Sequence, residues 1–297
     1  MTPSIGSLYL IGGAEDRGDQ KRVLGRLLDL AGGARARILL LTSASRHQQE
    51  MFEAYRQAFA SLGACDCTAL SIAQREQADE PAHADAVLRA SLVFLTGGDQ
   101  KRLMALVGGT RVERAIHGAL RERGACIAGT SAGAAAMSAH MLSEGPDDTP
   151  ARRDSVHLSA GLGLLNRLVV DQHFSQRQRL GRLLSIVAQN PHLLGVGIDE
   201  NTALHVQPGR GLEVVGAGTV TLIDGRAVRA PSGPWPEQPV ELAGARLHLL
   251  PAGTCCRVDA AAAQGVGSAR HALPPALSEM VAMVAHALDP QPLAGAA

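Results

Sequence analysis

Three short stretches of this sequence carry side chains that could work together as a catalytic relay. The first is Gly129-Thr130-Ser131-Ala132-Gly133, which follows a short apolar run at 126–128 and precedes helix-favouring residues at 134–141. A tight strand–turn–helix elbow holds its serine in a strained conformation and demands small flanking residues. Gly129 and Gly133 meet that demand, and Ala128, Ala132 and Ala134 add to it. The start of the following helix would aim free N–H groups at negative charge developing beside the serine.

A serine hydroxyl is a poor nucleophile without a base. The sequence has 11 histidines, and position separates one of them. His173 comes directly after the strand-like residues 168–170, within Asp171-Gln172-His173-Phe174, so it sits at the carboxyl edge of a sheet, where the elbow also opens. His47, His117 and His286 fall within helical patterns, and His83 and His157 in loops. The base in turn needs a carboxylate to hold its tautomer. Gly197-Ile198-Asp199-Glu200-Asn201 ends the next strand at the same edge. Neighbouring residues of an extended chain point to opposite sides, so one of Asp199 and Glu200 faces the histidine, and spacing leaves both open. The order serine, histidine, acid differs from that of the α/β-hydrolases, where the acid precedes the histidine.

Arginines follow the histidine in Ser175-Gln176-Arg177-Gln178-Arg179-Leu180-Gly181-Arg182. Ser175 and Gln178 form a capping-box pattern, which predicts a helix from about this point. Arg179 and Arg182, three apart, share a face of it, and Arg177 lies nearer His173. Guanidinium groups bind carboxylates through a planar fork, so this cluster beside a histidine suggests an acidic substrate. Thr96-Gly97-Gly98-Asp99-Gln100 follows another strand, and its glycine pair would let the backbone approach a ligand closely. One N–H there could join that of Ala132 as an oxyanion hole. No glycine-rich nucleotide-binding spacing occurs at such a junction.

The elements needed to position these residues alternate along the chain. Strand-like segments at 7–11, 38–41, 67–70, 91–95 and 126–128 are separated by helical patterns at 20–30, 47–62, 82–89 and 110–123. This rhythm predicts βαβ units, an α/β fold with a mostly parallel sheet and helices on both faces, and ligands at the carboxyl ends of its strands. Residues 143–155 are acidic and proline-rich and read as an exposed loop. Residues 203–250 are short and β-like, 231–239 hold four prolines and cannot be regular, and 275–288 look like a final helix before a loose tail. No domain boundary stands out, so 1–297 is expected to be a single domain, with 260–297 as its C-terminal helix and tail. Lys+Arg and Asp+Glu number 28 each, which argues against general nucleic-acid binding. The five cysteines form no disulfide framework and no zinc spacing. No signal peptide or membrane-length apolar run is evident, so a soluble, cytoplasmic protein is expected.

Together these segments resemble the cyanophycinase branch of the serine peptidase family that also contains aspartyl dipeptidase. The resemblance is carried by Ile11-Gly12-Gly13-Ala14-Glu15, Leu40-Leu41-Thr42-Ser43-Ala44-Ser45, the glycine pair at 97–98, the serine elbow, Gly161-Leu162-Gly163-Leu164, Asp171-Gln172-His173-Phe174 with its arginines, and Gly197-Ile198-Asp199-Glu200-Asn201-Thr202-Ala203. It implies a fold like the class I glutamine amidotransferases with a short β-rich C-terminal region. It also implies Ser131 as nucleophile, His173 as base and Glu200 as third member, with backbone N–H groups of Gly98 and Ala132 as oxyanion hole. Gln100, Asp171, Gln172, Arg177, Arg179, Arg182 and Asn201 would line the substrate pocket. The implied reaction is exopeptidase hydrolysis of cyanophycin, a polyaspartate with arginine on each β-carboxyl, to β-aspartyl-arginine dipeptides through an acyl-enzyme. No cofactor or metal is implied, and a homodimer is suggested. The alternatives are an aspartyl or isoaspartyl dipeptidase with another substrate, and a non-catalytic binding protein on the same scaffold.

Overall fold

The computed structural model describes residues 5–152, 155–228, 239–240, 242–258, 266–268 and 275–288. The expected irregular stretch 231–239 falls outside these residues except for Pro239, as do the last nine residues of the tail. The first part of the chain alternates strands and helices, with two helices in its last crossover: β1 (Leu8–Ile11), α1 (Arg22–Leu30), β2 (Arg37–Leu41), α2 (Gln48–Ser61), β3 (Asp66–Leu70), α3 (Pro81–Arg89), β4 (Leu92–Leu95), α4 (Gln100–Val107), α5 (Arg111–Glu122) and β5 (Cys126–Thr130). Then come α6 (Ala132–Ala135), the hairpin β6 (His140–Glu144) and β7 (His157–Ala160), β8 (Leu168–Gln172), α7 (Leu180–Gln189) and β9 (Leu194–Ile198). The remainder is β10 (Thr202–Gln207), β11 (Gly211–Gly216), β12 (Thr219–Asp224), β13 (Arg246–Pro251), β14 (Cys255–Val258), β15 (Val266–Ser268) and α8 (Pro275–Ala285).

β3, β2, β4, β5 and β1 form a parallel block in that order, and β10, β11, β14 and β15 extend it antiparallel beyond β1. Apolar side chains cover both faces, as continuous apolar strands require. Ile38, Leu40, Leu92 and Phe94 face α1 and α2, while Leu39, Leu41, Val93 and Leu95 face the helices on the other side. The helices therefore lie on both faces, as expected. No helix among the described residues is long and apolar enough to cross a membrane.

One expectation is corrected. β8 and β9, which carry the histidine and the acid, do not join the sheet of the serine. They pair parallel with each other in a second, four-stranded sheet, β13-β12-β9-β8. One face of that sheet shares the large core through Val170, Val196 and Ile198; the other, through Val169 and Ile223, packs with Leu183 and Val187 of α7. Only residues 199–201 separate β9 in one sheet from β10 in the other.

Two helix boundaries also differ. The helical pattern at 134–141 yields only the single turn of α6, because the backbone beyond it is claimed by a distant segment. Ala139 donates to Leu165 at 2.8 Å, and Leu164 donates to Met137 at 3.0 Å, so tertiary pairing overrides helix propensity. The capping-box pattern at Ser175 does not start a helix either. Ser175 N–H donates to Asp199 at 3.1 Å and Gln178 adopts φ 52°, which delays α7 to Leu180.

Phe94 sits at the centre of the α1–α2 side, its ring 4.7 Å from that of Tyr55 and 5.9 Å from that of Phe59. Phe94→Ala is expected to cost about 3–5 kcal/mol of stability, measured by urea unfolding. Because Tyr55 also lines the cavity that Ser131 and His173 border, any activity of the folded fraction should fall as well.

Candidate active site

Ser131 lies at the turn from β5 into α6 with φ 51° and ψ −115°, a conformation L residues rarely occupy. Backbone crowding explains the small neighbours. A Cβ on Gly129 would come within 2.5 Å of the Gly133 carbonyl, and one on Gly133 within 2.2 Å of the Leu95 carbonyl oxygen. The turn is fixed from outside as well: Ser131 N–H donates to Ile11 at 3.0 Å.

His173 directly follows β8 and also has positive φ, 50°. Its N–H donates to the Gly12 carbonyl at 2.7 Å, and its ring lies directly on Gly13, where a Cβ would be 2.4 Å from Cε1 and Nε2. That seating leaves Nε2 2.9 Å from Ser131 Oγ and Nδ1 2.6 Å from Glu200 Oε1. The two carboxylates left open by spacing are separated here. Glu200 faces the imidazole. Asp199 turns away and accepts from the N–H groups of Ser175 at 3.1 Å and Thr219 at 3.0 Å. A hydroxyl, an imidazole and a carboxylate in one hydrogen-bonded line can transfer the serine proton during attack on a carbonyl and hold the resulting imidazolium.

Gly98 and Ala132 flank Ser131. Gly98 has φ 145°, and a Cβ there would meet the Ala44 carbonyl oxygen at 2.3 Å. The N–H groups of Gly98 and Ala132 have no partner among the described residues. α6 is a single turn, so any stabilisation of an anion comes from these individual amides rather than from a long helix dipole. Asp99 caps α4 by accepting from Lys101 N–H at 2.8 Å, which anchors the Gly97–Gly98 turn.

The cleft divides at Ser131. On one side a cavity of about 260 Å³ is lined by Gly98, Gln100, Ser143, Glu144, Gly145, Gln172, Arg177, Arg179 and Arg182. On the other, a cavity of about 210 Å³ is lined by Glu15, Arg17, Met51, Tyr55, Thr130 and His173, with Gly98 and Ser131 common to both. Of the residues expected in the pocket, Gln100, Gln172 and the three arginines line the first cavity. Asp171 is fully buried, and its carboxylate accepts from Arg182 Nε at 2.7 Å, from Arg182 Nη2, and from Arg179 at 3.5 Å. The expected contact between Asp171 and a ligand is therefore corrected: it holds the arginines. Asn201 is likewise occupied, its side-chain oxygen accepting from Asp16 N–H at 3.0 Å. Arg179 and Arg182 are each 6% exposed, whereas Arg177 is exposed at the cavity wall. Of the 143–155 segment, Ser143, Glu144 and Gly145 border the cavity, and Asp147 pairs with Arg179 at 2.6 Å. Partial burial opposes the Asp147 charge, but Arg179 outweighs it and holds the carboxyl below its ordinary range.

Sequence reasoning missed Glu15 and Tyr55. Glu15, 4% exposed, accepts from Thr130 Oγ1 at 2.6 Å and from the Tyr55 hydroxyl, so it braces the residue just before the serine. A carboxylate two residues after a glycine pair at a strand end was the available signal. The thiol nearest the serine in sequence, Cys126 on β5, is pushed up to about 12 by burial and stays protonated.

A two-faced α/β sheet presenting a strained serine before a histidine and a carboxylate is a frame that hydrolases use. The chain belongs to peptidase family S51, whose model matches residues 8–214. It is 37% identical over 246 residues to a cyanophycinase from Geminocystis herdmanii, covering 82% of this chain and 90% of the relative. It is also 37% identical over 249 residues to a cyanophycinase from Trichormus variabilis, covering 83% and 84%. In fold it is similar to the crystal structure of a peptidase from an acI-B1 Actinobacterium, with TM-score 0.59 and 24% identity over 83% of this chain and 98% of that one.

Gly13→Ala tests the seating of the histidine. The added methyl must displace the ring, so kcat/KM should fall on the order of 10² or more, with far-UV circular dichroism unchanged.

Proposed function

We propose that the protein is a serine-type exopeptidase that hydrolyses cyanophycin to β-aspartyl-arginine dipeptides through an acyl-enzyme. The reading is carried by the unbroken line from Ser131 Oγ to His173 at 2.9 Å and from His173 to Glu200 at 2.6 Å. Ser131 Oγ attacks an aspartyl backbone carbonyl while His173 Nε2 takes the hydroxyl proton, and Glu200 stabilises the imidazolium. The carbonyl oxygen becomes an oxyanion facing the amides of Gly98 and Ala132. Collapse breaks the C–N bond, His173 gives its proton to the departing amine, and an ester to Ser131 remains. Water, deprotonated by the same nitrogen, then cleaves the ester and restores the serine hydroxyl.

The substrate assignment is supported by the arginine-lined cavity beside the nucleophile, which suits a carboxylate. It is supported too by the relatives named cyanophycinase, which align over more than four-fifths of this chain.

Purified protein should release β-Asp-Arg from cyanophycin, detected by mass spectrometry. Ser131→Ala should lower turnover on the order of 10³ or more without altering the melting temperature appreciably. Cleavage of short Asp-Xaa or β-Asp-Xaa peptides with cyanophycin left intact would replace this substrate by that of a dipeptidase. Full activity in Ser131→Ala would remove the nucleophile assignment.

A further inference from the structure

The cavity on the far side of Ser131 from the arginine cluster holds a cation that the relay does not use. Arg17 lines it together with Glu15, Met51, Tyr55, Ser131 and His173. Its guanidinium carbon lies 5.2 Å from the centre of the Tyr55 ring, within the range at which an aromatic face attracts a cation. That ring is fixed, because Tyr55 is buried and its hydroxyl donates to Glu15. The backbone around Arg17 is fixed too. Asp16 accepts from the N–H groups of Gly18 at 2.9 Å, Asp19 at 3.0 Å, Gln20 at 2.7 Å and Lys21 at 2.9 Å. Its own N–H donates to Asn201, the neighbour of Glu200, at 3.0 Å.

The guanidinium held in this way has no carboxylate of its own. Arg17 makes no hydrogen bond or ion pair among the described residues. The two acids nearest before it in sequence are engaged elsewhere, Glu15 by the hydroxyls of Thr130 and Tyr55 and Asp16 by its four amides. The N–H groups of Arg17 are therefore left for an acceptor, and their planar fork matches a carboxylate. The side chain is exposed, but its partner ring and its backbone are already ordered, which lowers the entropic cost of binding there. This cavity shares only Gly98 and Ser131 with the one that Arg177, Arg179 and Arg182 line.

We propose that Arg17 is a specificity-determining residue that receives the carboxylate of the substrate residue lying across Ser131 from the arginine cluster. A chain laid over the serine then meets Arg177 on one side and Arg17 on the other, so both residues flanking the broken bond are read by charge. The naming of that carboxylate rests on the function proposed above. In a polyaspartate bearing arginine on each β-carboxyl, every arginine arm keeps a free α-carboxylate, and two successive arms bring one to each side of the scissile bond. A substrate with a neutral group on the Arg17 side leaves the guanidinium unmatched.

The test reads binding in this cavity without turnover. The chain has two tyrosines, Tyr9 and Tyr55. Tyr9 is fully buried beside His205 and does not line the cavity, so its ring is an internal control. In full-length Ser131→Ala protein with 13C-labelled tyrosine rings, Nα-acetyl-arginine and its uncharged C-terminal amide are titrated by NMR, and Tyr55→Phe assigns the signals. The acid should move the Tyr55 signals and leave those of Tyr9 in place, with a Kd on the order of tenfold below that of the amide. Arg17→Gln should raise the Kd of the acid on the order of tenfold and leave that of the amide within about twofold, while Arg17→Lys, which keeps the charge without the fork, should retain part of the preference. A purely structural role, steadying Tyr55, would weaken acid and amide together. Equal Kd values for acid and amide, an unchanged acid Kd in Arg17→Gln, parallel loss of both ligands in that variant, or no response of Tyr55 overturns the assignment. A protein that fails to cleave cyanophycin but shows the Arg17-dependent preference loses only the function proposed above, and one that cleaves it without that preference loses only the role of Arg17.

Discussion

The carbonyl groups at the end of β1 hold the site together. Ile11 accepts from the N–H of Ser131 at 3.0 Å, Gly12 from that of His173 at 2.7 Å, and Gly13 from that of Asn201 at 2.9 Å. Gly12 N–H completes the set by donating to Thr202 at 2.9 Å. Three successive carbonyls thus receive the three segments that bear the hydroxyl, the imidazole and the carboxylate. The two glycines are a steric requirement of this convergence. A Cβ at Gly12 would lie 2.0 Å from the Asp199 carbonyl oxygen, and one at Gly13 would enter the His173 ring. Each such bond contributes about 0.5–1.5 kcal/mol net. The set can therefore offset the strain of about 1–3 kcal/mol held at a residue such as Ser131.

The sheet order that makes β1 the hub could not be deduced from the sequence. The βαβ rhythm was legible because strands buried on both faces read as continuous apolar runs, as 38–41 does. The elbow was legible because its crowding excludes all but small residues. The assignment of β8 and β9 to a second sheet was not, since strand pairing is decided by contacts remote in sequence and both sheets use the same apolar alphabet. Asp199 and Glu200 could not be told apart for a related reason. Alternation puts them on opposite sides, but only the position of His173 says which side matters.

The arginine cluster shows where composition misleads. Three guanidinium groups within six residues read alike as ligand-binding forks, yet they fall into two kinds. Arg179 and Arg182 are buried against Asp171 and Asp147, where losing a carboxylate partner would leave a costly unpaired charge. Arg177 remains open because it precedes α7, in the turn that Gln178 makes with its left-handed backbone. That turn exists because Asp199 captures the Ser175 amide, a pairing 24 residues apart that no local pattern encodes.

The short crossing from β9 to β10 joins the two halves of the site. The serine stands on the first sheet, whereas imidazole and acid follow strands of the second, and β10 lies beside β1 in the first. A tilt of one sheet against the other would therefore change the separation of hydroxyl and imidazole, so the packing between the sheets sets how the three groups align.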